Sequence, residues 1–550
     1  MGGPARSELV ERDGECEAVD AAVEGATAAG GVLLVEGPAG IGKTQLLARV
    51  RAQSAARGFA TLAARGVELE RDYAFGVVHQ LYVPELLRRD DAGRDALLSG
   101  AAALARPLLG IDAQPAPGDA DDVGDRRFAQ LHGLYWLTAT LAAEAPLLVL
   151  VDDAHCADVA SLRFLGFLAA RIESLPVLLC VGMRPSDDPE RGEALAPLVE
   201  LPGAVHLALG PLSADGSASV VRDRLGERAT APLCAATHRA TGGNPLLLGE
   251  LLDEIARADG SAEEIEQQVL QLRPPAVSRS VLRRIAALPE SARTVAGALA
   301  VLGDDPTLAL LGAYAGLDHG ELDEGLRALA GAHVLAEEDE LRFAHPIVRT
   351  VVYGSLSRVE RADGHLRAAG LLMDAGADPQ QVAAHILHCE PRGKDAHVQQ
   401  LRTAAVSARA LGAPEAAVRY LNRALEEPPR AEQRPELLLE LGLAEHQSGR
   451  PMAVEHLRAA MSEADEPELR TRVGAALARA LVWAGRAREA HDVLLRVIGE
   501  LDREHGRRSL RLEAQLRANA HVSGVLGYDE VQRLPGLLSF EEVERLRRAP

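Results

Sequence analysis

The chain has 550 residues, 47% hydrophobic and 25% charged, a globular composition long enough for about three or four domains and unlike a disordered polymer. Its formal net charge is −21, from 80 acidic and 59 basic residues, and such a surface repels phosphate backbones, which excludes broad non-specific nucleic-acid binding. Five scattered cysteines without a C-x-x-C pair exclude a disulfide framework and a standard zinc motif, and with no apolar run of membrane-span length the expected location is the cytoplasm, away from any membrane.

The first 212 residues predict an α/β domain. Short apolar runs, "GVLLVEG", "GFATLAARG", "APLLVLVDD", "LPVLLCVGMRP" and "AVHLALGPL", alternate with amphipathic or Ala/Leu-rich segments. Parallel strands buried on both faces read this way. The stretch "IDAQPAPGDADDVGDRR", Ile111 to Arg127, predicts a flexible loop from its Pro, Gly and Asp content.

After the first strand comes "GPAGIGKT", with Gly37, Pro38, Ala39, Gly40, Ile41, Gly42, Lys43 and Thr44 matching G-x-x-x-x-G-K-[ST]. A strand before and a helix after are the setting a P-loop requires. The glycines let the backbone turn tightly and aim N–H groups inward, where the helix dipole adds positive potential for a phosphate. Lys43 and Lys394 are the only lysines in the chain, every other basic position being arginine. Inside a phosphate-wrapping turn the compact ammonium fits where a planar guanidinium fork does not. Lys43 would reach the β- and γ-phosphates and Thr44 would bind Mg²⁺.

The strand "LLVLVDDAH" ends in Asp152 and Asp153, the first assigned to the metal through water and the second to polarising an attacking water. The strand "VLLCVGMRP" ends in Arg184, placed to sense a γ-phosphate. Neither lysine lies in an N-K-x-D guanine-reading turn, so ATP is favoured over GTP by elimination.

Residues 213–275 predict a helical lid. Residues 276–394 predict a compact mixed unit of helices in which "HVLAEEDELRFAH" forms two short strands about an acidic turn, a winged-helix arrangement. The cluster "HILHCEPRGKDAH", with His385, His388, Cys389 and His397, reads as a helix end rather than a metal site, since its spacing matches no standard ligand set. From 395 to 550 all is helical, and Gly412, Gly449 and Gly485 recur 37 and 36 residues apart. That period predicts a degenerate tetratricopeptide-like solenoid. Its end lacks an evident polar cap, so the array is expected to continue beyond Pro550.

Together, "LVERDGECEAVDAAV", "VEGPAGIGKT", "ARGVELERDYAFGVVHQL", "LHGLYWLTATLAAEAPLLVLVDDAHCAD", "TGGNPLLLGELL" and "LRFAHPIVRTVVY" resemble the STAND class of signal-transduction P-loop ATPases, and more narrowly the large ATP-binding LuxR-family regulators of actinobacteria. The resemblance implies an AAA+/STAND-like P-loop domain and three further assignments. The segment about Val10 and Arg12 would lie near adenine, Pro245 of "GGNP" would face the base, and His345 of "FAHPIVR" would approach the ADP β-phosphate. Pro245 suits the start of a helix equally well, and His345 a half-buried structural role. Cys156 stands where the family usually carries tryptophan, and no helix-turn-helix sequence occurs before Pro550, so direct DNA binding by this chain is not expected.

The function this implies is an ATP/ADP switch with slow hydrolysis, a protein or small-molecule inducer on the repeats, and self-association in the ATP state. Two alternatives stand beside it: a repeat scaffold with a structural nucleotide, and a ring-forming remodelling ATPase using Arg342 or Arg349 near the lid.

Overall fold

The computed structural model describes residues 9–111, 123–184, 188–257, 282, 284–332, 334–336, 341–344 and 346–500. Residues up to Cys389, apart from 117–124, form one compact unit, and those from Glu390 onward form another.

The first unit is built on five parallel strands: β1 (Gly31–Glu36), β2 (Ala60–Arg65), β3 (Leu147–Asp152), β4 (Val177–Met183) and β5 (Val205–Ala208), in the spatial order β2-β3-β4-β1-β5. All five apolar runs of the sequence become strands. β3 and β4 are buried at every position, whereas β5 at the sheet edge is mostly exposed. Alternate residues therefore feed two cores. Leu33, Val35, Leu148 and Cys180 pack against helices α1 (Asp13–Gly25) and α2 (Lys43–Ala56). Elsewhere in the same unit lie α3 (Gly76–Leu87), α4 (Asp91–Leu97), α5 (Val123–Glu144), α6 (Val159–Ala169) and α7 (Pro189–Val199). There Tyr82 bonds Thr138 at 2.6 Å and meets Phe164 edge to face. The expected loop at 111–127 is corrected at its end. Residues 123–127 already belong to α5, because no proline after Pro117 stops the helix from extending backward.

A small helical cluster follows: α8 (Ala214–Leu225), α9 (Ala231–Thr241) and α10 (Pro245–Arg257), packed about Leu212, Val221, Leu248 and Leu252. Next come α11 (Glu290–Leu302), α12 (Leu308–Ala315), α13 (His319–Gly331), α14 (Pro346–Ser355), α15 (Arg358–Asp374) and α16 (Pro379–Leu387). α11 is the core of this group, its Val295, Ala296, Leu299 and Ala300 wholly buried. Leu335 and Phe343 form an antiparallel bridge, with Ala336 N–H donating to Arg342 O and Ala344 N–H to Val334 O. The residues between 336 and 341 lie outside the described set.

Among the described residues, the second unit holds the antiparallel helix pairs α17 (Asp395–Ala410) with α18 (Pro414–Glu426), α19 (Arg434–Gln447) with α20 (Ala453–Glu463), and α21 (Pro467–Trp483) with α22 (Ala487–Glu500). Each pair turns on a left-handed glycine, with φ of +71° at Gly412 and +73° at both Gly449 and Gly485. The residue after each glycine bonds back to the helix, Ala413 N to Ala408 O, Arg450 N to Glu445 O and Arg486 N to Leu481 O. Such a turn needs a backbone without a Cβ penalty, so the glycine spacing in the sequence marks the turns.

Candidate functional site

β1 runs straight into the glycine turn, and Gly42, at φ +105°, is the last residue before α2. Gly40 is also left-handed, at φ +74°. A Cβ on Gly40 would stand 2.9 Å from both Asn244 Oδ1 and the Leu246 Cβ, so that glycine is demanded by space as well as by conformation. The Lys43 ammonium is buried and donates to Gly37 O at 2.7 Å and Pro38 O at 3.0 Å. Burial and the nearby Arg184 cation hold its pKa below the usual lysine value, while Asp153 and Asp152 oppose them.

β3 delivers Asp152 to the same place. Thr44 Oγ1 donates to Asp152 Oδ2 at 2.9 Å, and Asp153 N–H donates to Asp152 Oδ1 at 2.8 Å. A Cβ on Gly182 of β4 would lie 2.8 Å from Asp152 Oδ1, so that strand makes room for the carboxylate. Burial and the Asp153 charge raise the Asp152 pKa, against the bonds from Thr44 and the Asp153 N–H. A divalent cation would reverse that balance by favouring the ionised form. The hydroxyl and carboxylate oxygens are the hard donors that Mg²⁺ takes, and the buried ammonium beside the turn suits a phosphate chain. The residues present fit both groups.

Asp153 itself sits at φ +48°, a left-handed conformation unusual for a residue with a side chain. Its Oδ2 accepts from Arg65 Nε at 3.2 Å and Nη2 at 3.0 Å. Arg184 Nη2 stands 3.8 Å from Asp153 Oδ1, and His155 Nδ1 stands 4.0 Å from the same oxygen. Burial, the first cause, together with Arg184 and Lys43 drives the His155 pKa down to about 4, with Asp153 opposing. Arg65 N–H in turn donates to Gln80 Oε1 at 2.9 Å. Lys43, Thr44, Asp152, Asp153 and Arg184 are therefore gathered at the tips of β1, β3 and β4.

The remaining sequence-predicted residues fall as follows. Val10 packs on the core of α8, α9 and α10. Glu11, between it and Arg12, accepts from the Ser213 N–H and hydroxyl at the start of α8. Arg12 donates to Gly210 O and, at 3.0 Å, to Glu15. These contacts tie the N-terminal segment to the chain between β5 and α8. Pro245 is the first residue of α10, and the residue before it makes the contact with the P-loop: Asn244 Nδ2 donates to Ala39 O at 2.9 Å. Asn244 Oδ1 caps α10 by accepting from Leu246 and Leu247 N–H at 3.1 and 3.3 Å, and Leu246 N–H also reaches Gly40 O at 3.2 Å. His345 lies outside the described residues. Arg349 turns inward, donating from Nε to Ala300 O at 3.4 Å. Arg65 and Asn244 escaped the sequence reading; both lie in quoted stretches, "ARGVELERDYAFG" and "TGGNP", but their partners are 88 and 205 residues away.

Residues 8–181 match the model of the AAA ATPase domain. The matched AAA ATPase domain holds every strand-tip residue just described except Arg184. An uncharacterized protein of Rhizobium meliloti (strain 1021) is 28% identical over 406 residues, which cover 67% of this chain. The chain spans 37% of the length of that curated relative. Among solved structures, a Signal Transduction ATPase with Numerous Domains (STAND) protein with a tetratricopeptide repeat sensor from Pyrococcus horikoshii is similar, at TM-score 0.43 and 16% identity over 96% of this chain and 76% of that one. The ORC2 protein of Aeropyrum pernix, in its ADPNP-ADP complexes, is similar at TM-score 0.30 and 14% identity, covering 63% of this chain and 94% of that one.

Proposed function

We propose that the chain is an ATP/ADP-dependent signal-transduction switch, the regulatory ATPase part of a LuxR-type transcriptional regulator, that hydrolyses ATP slowly. The supporting observation is the double attachment of the α10 start to the phosphate loop, through Asn244 to Ala39 O and Leu246 to Gly40 O. A lid helix bonded to the turn that cradles phosphate changes its footing whenever that turn changes occupant. Such a contact couples nucleotide state to the arrangement of the helical cluster.

In this reading Lys43 and the turn's N–H groups hold the β- and γ-phosphates, and Val10, Arg12 and Pro245 border the adenine. His345 approaches the β-phosphate of ADP. Thr44 and Asp152 would hold Mg²⁺, which would supply positive charge beside the phosphates. Asp153, fixed by Arg65, orients water, and Arg184 senses the γ-phosphate. The tetratricopeptide-like helix pairs receive an inducer, and the ATP state self-associates. Shifting a 1:99 equilibrium to 99:1 takes about 5.5 kcal/mol of differential binding, more than one phosphate contact supplies.

Two variants test the switch. Asp153→Asn is expected to bind ATP normally and to hydrolyse it at least about a hundredfold more slowly, since the amide keeps one acceptor oxygen for Arg65 and loses the charge and the second oxygen that water needs. Asn244→Ala is expected to release fluorescent ADP about tenfold faster by breaking the lid bond, a loss of roughly 1.4 kcal/mol. Release at the wild-type rate would mean that the lid contact does not govern nucleotide exchange.

A further inference from the structure

The chain leaving β2 lies directly on the turn that carries Asp153. Gly66 N–H donates to Asp152 O at 2.9 Å, and a Cβ on Gly66 would run into Asp153 O and stand 2.9 Å from Ala157 N, so only glycine permits that approach. A single 3-10 turn, Glu68–Glu70, follows. Gln80 of α3 braces both ends of this segment. Its Oε1 accepts from Arg65 N–H at 2.9 Å and its Nε2 donates to Glu70 Oε2 at 3.4 Å, and the first bond fixes which end of the amide is the acceptor. The far side of the same turn meets the helical group. Leu69 is buried, and a Cβ on Gly303, the residue after α11, would stand 3.4 Å from Leu69 Cδ2 and 3.8 Å from Arg349 Nη2 of α14. Burial and the Asp304 charge raise the Glu70 pKa, with Arg349 and the Gln80 bond opposing, so charges of the α11 corner and of α14 reach this carboxylate. Burial opposes the Arg65 cation, and Asp153 and then Asp304 favour it.

We propose that Gln80 is a positioning residue for the proposed hydrolysis, and that the segment from Gly66 to Glu70 relays the seat of the α11 corner through it to Asp153. The contacts follow one another without a gap. Gly303 lies against Leu69, Glu70 accepts from Gln80, Gln80 accepts from the Arg65 backbone, and the Arg65 guanidinium holds Asp153. Close-packed contacts have little slack, so a shift of the corner moves the turn, and the turn moves the arginine that holds the carboxylate. Displacing a reacting group by about 1 Å can cost about a hundredfold in rate, while phosphate binding, made by the loop after β1, is untouched. The relay enters the site from the β2 side and does not pass through the phosphate loop, so it is separate from the Asn244 tether. It rests on reading Asp153 as the group that orients water.

The test measures single-turnover hydrolysis, Mg-ATP affinity and amide deuterium exchange over residues 60–70 on the full chain. Gln80→Leu is expected to slow hydrolysis about tenfold with affinity within about twofold, and Gln80→Glu, which keeps an acceptor for Arg65 N–H, to recover part of that loss. In an Arg65→Ala background Gln80→Leu should cost nothing further, since both act on Asp153 by one route. Leu69→Ala should slow hydrolysis about threefold to tenfold, with the volume-conserving Leu69→Met near wild type. Both Gln80→Leu and Leu69→Ala should quicken exchange at the β2 end. Additive losses for Arg65 and Gln80, equal losses in affinity and turnover, or a wild-type rate in Gln80→Leu would overturn the positioning role. A wild-type rate in Leu69→Ala would exclude the corner and overturn the relay. If the wild-type chain hydrolyses no ATP, the reading of Asp153 fails instead. Exchange then decides the relay: quickened in both variants, it stands as a link between the corner and the Asp153 turn, and unchanged, it falls.

Discussion

Lys43 shows at the residue scale why one lysine persists in an arginine-rich chain. Its ammonium is buried against two carbonyls of its own turn, a space a guanidinium fork would not enter. Next to it, Arg65 holds Asp153 through two bonds to a single oxygen, and although burial disfavours the Arg65 charge, Asp153 together with Asp304 and Asp152 raises its pKa above the usual value. A carboxylate so held presents its other oxygen in one direction. Arg65→Ala is therefore expected to keep nucleotide affinity within about twofold and to lower single-turnover hydrolysis by about tenfold to a hundredfold, with Arg65→Lys restoring part of the loss. Equal losses in affinity and turnover, measured side by side, would make Arg65 a structural residue only. The turn, Asp152 and Asp153 were legible in the sequence because their chemistry is written in a few neighbouring letters. Arg65 was not, since its role depends on which strand the sheet sets beside β3, and no local pattern encodes strand order.

Among elements, α10 shows how one residue serves two purposes. Asn244 caps the helix with its oxygen and tethers the P-loop with its nitrogen. Asn244→Ala should cost about 1 kcal/mol in chemical denaturation from the lost cap. Asn244→Asp keeps the acceptor, so stability near wild type combined with fast ADP release is expected, separating the tether from the cap. If Asp and Ala variants lost the same stability, capping would not be what the oxygen does. Elements with local requirements were the ones sequence reading found: strands from apolar runs, and the turns at Gly412, Gly449 and Gly485 from a conformation that glycine alone adopts cheaply. The backward extension of α5 to Val123 was missed, because Asp and Gly composition read as loop where no proline interrupts the helix.

Over the first unit as a whole, the segment after β2 meets the far helices. Gln380 of α16 is buried and accepts from Ala74 N–H at 3.1 Å. Behind it, His365 bonds His385 at 2.9 Å and Tyr353 at 2.8 Å, and His388 stacks on His365 at 4.7 Å. Burial first, then the neighbouring imidazoles and Arg349, drives His365 down to about 2 and His385 to about 4. Folded pKa values below the unfolded value of about 6.5 mean that the unfolded chain binds the extra protons. Stability from these histidines is thus complete above about pH 6.5 and falls as pH drops from there toward 4, by at most about 1.4 kcal/mol per pH unit per histidine. Denaturation midpoints between pH 7.5 and 5 should show this slope, and His385→Gln should reduce it; an unchanged slope would place the acid sensitivity elsewhere. The whole account depends on nucleotide at the loop between β1 and α2. Isothermal titration calorimetry with ADP and with Mg-ATP is expected to give saturable one-site binding for the wild-type chain and none for Lys43→Ala, whose helix pairs melt as in the wild type. Wild-type affinity in the Lys43→Ala variant, or no heat of binding in well-folded wild-type protein, would contradict it.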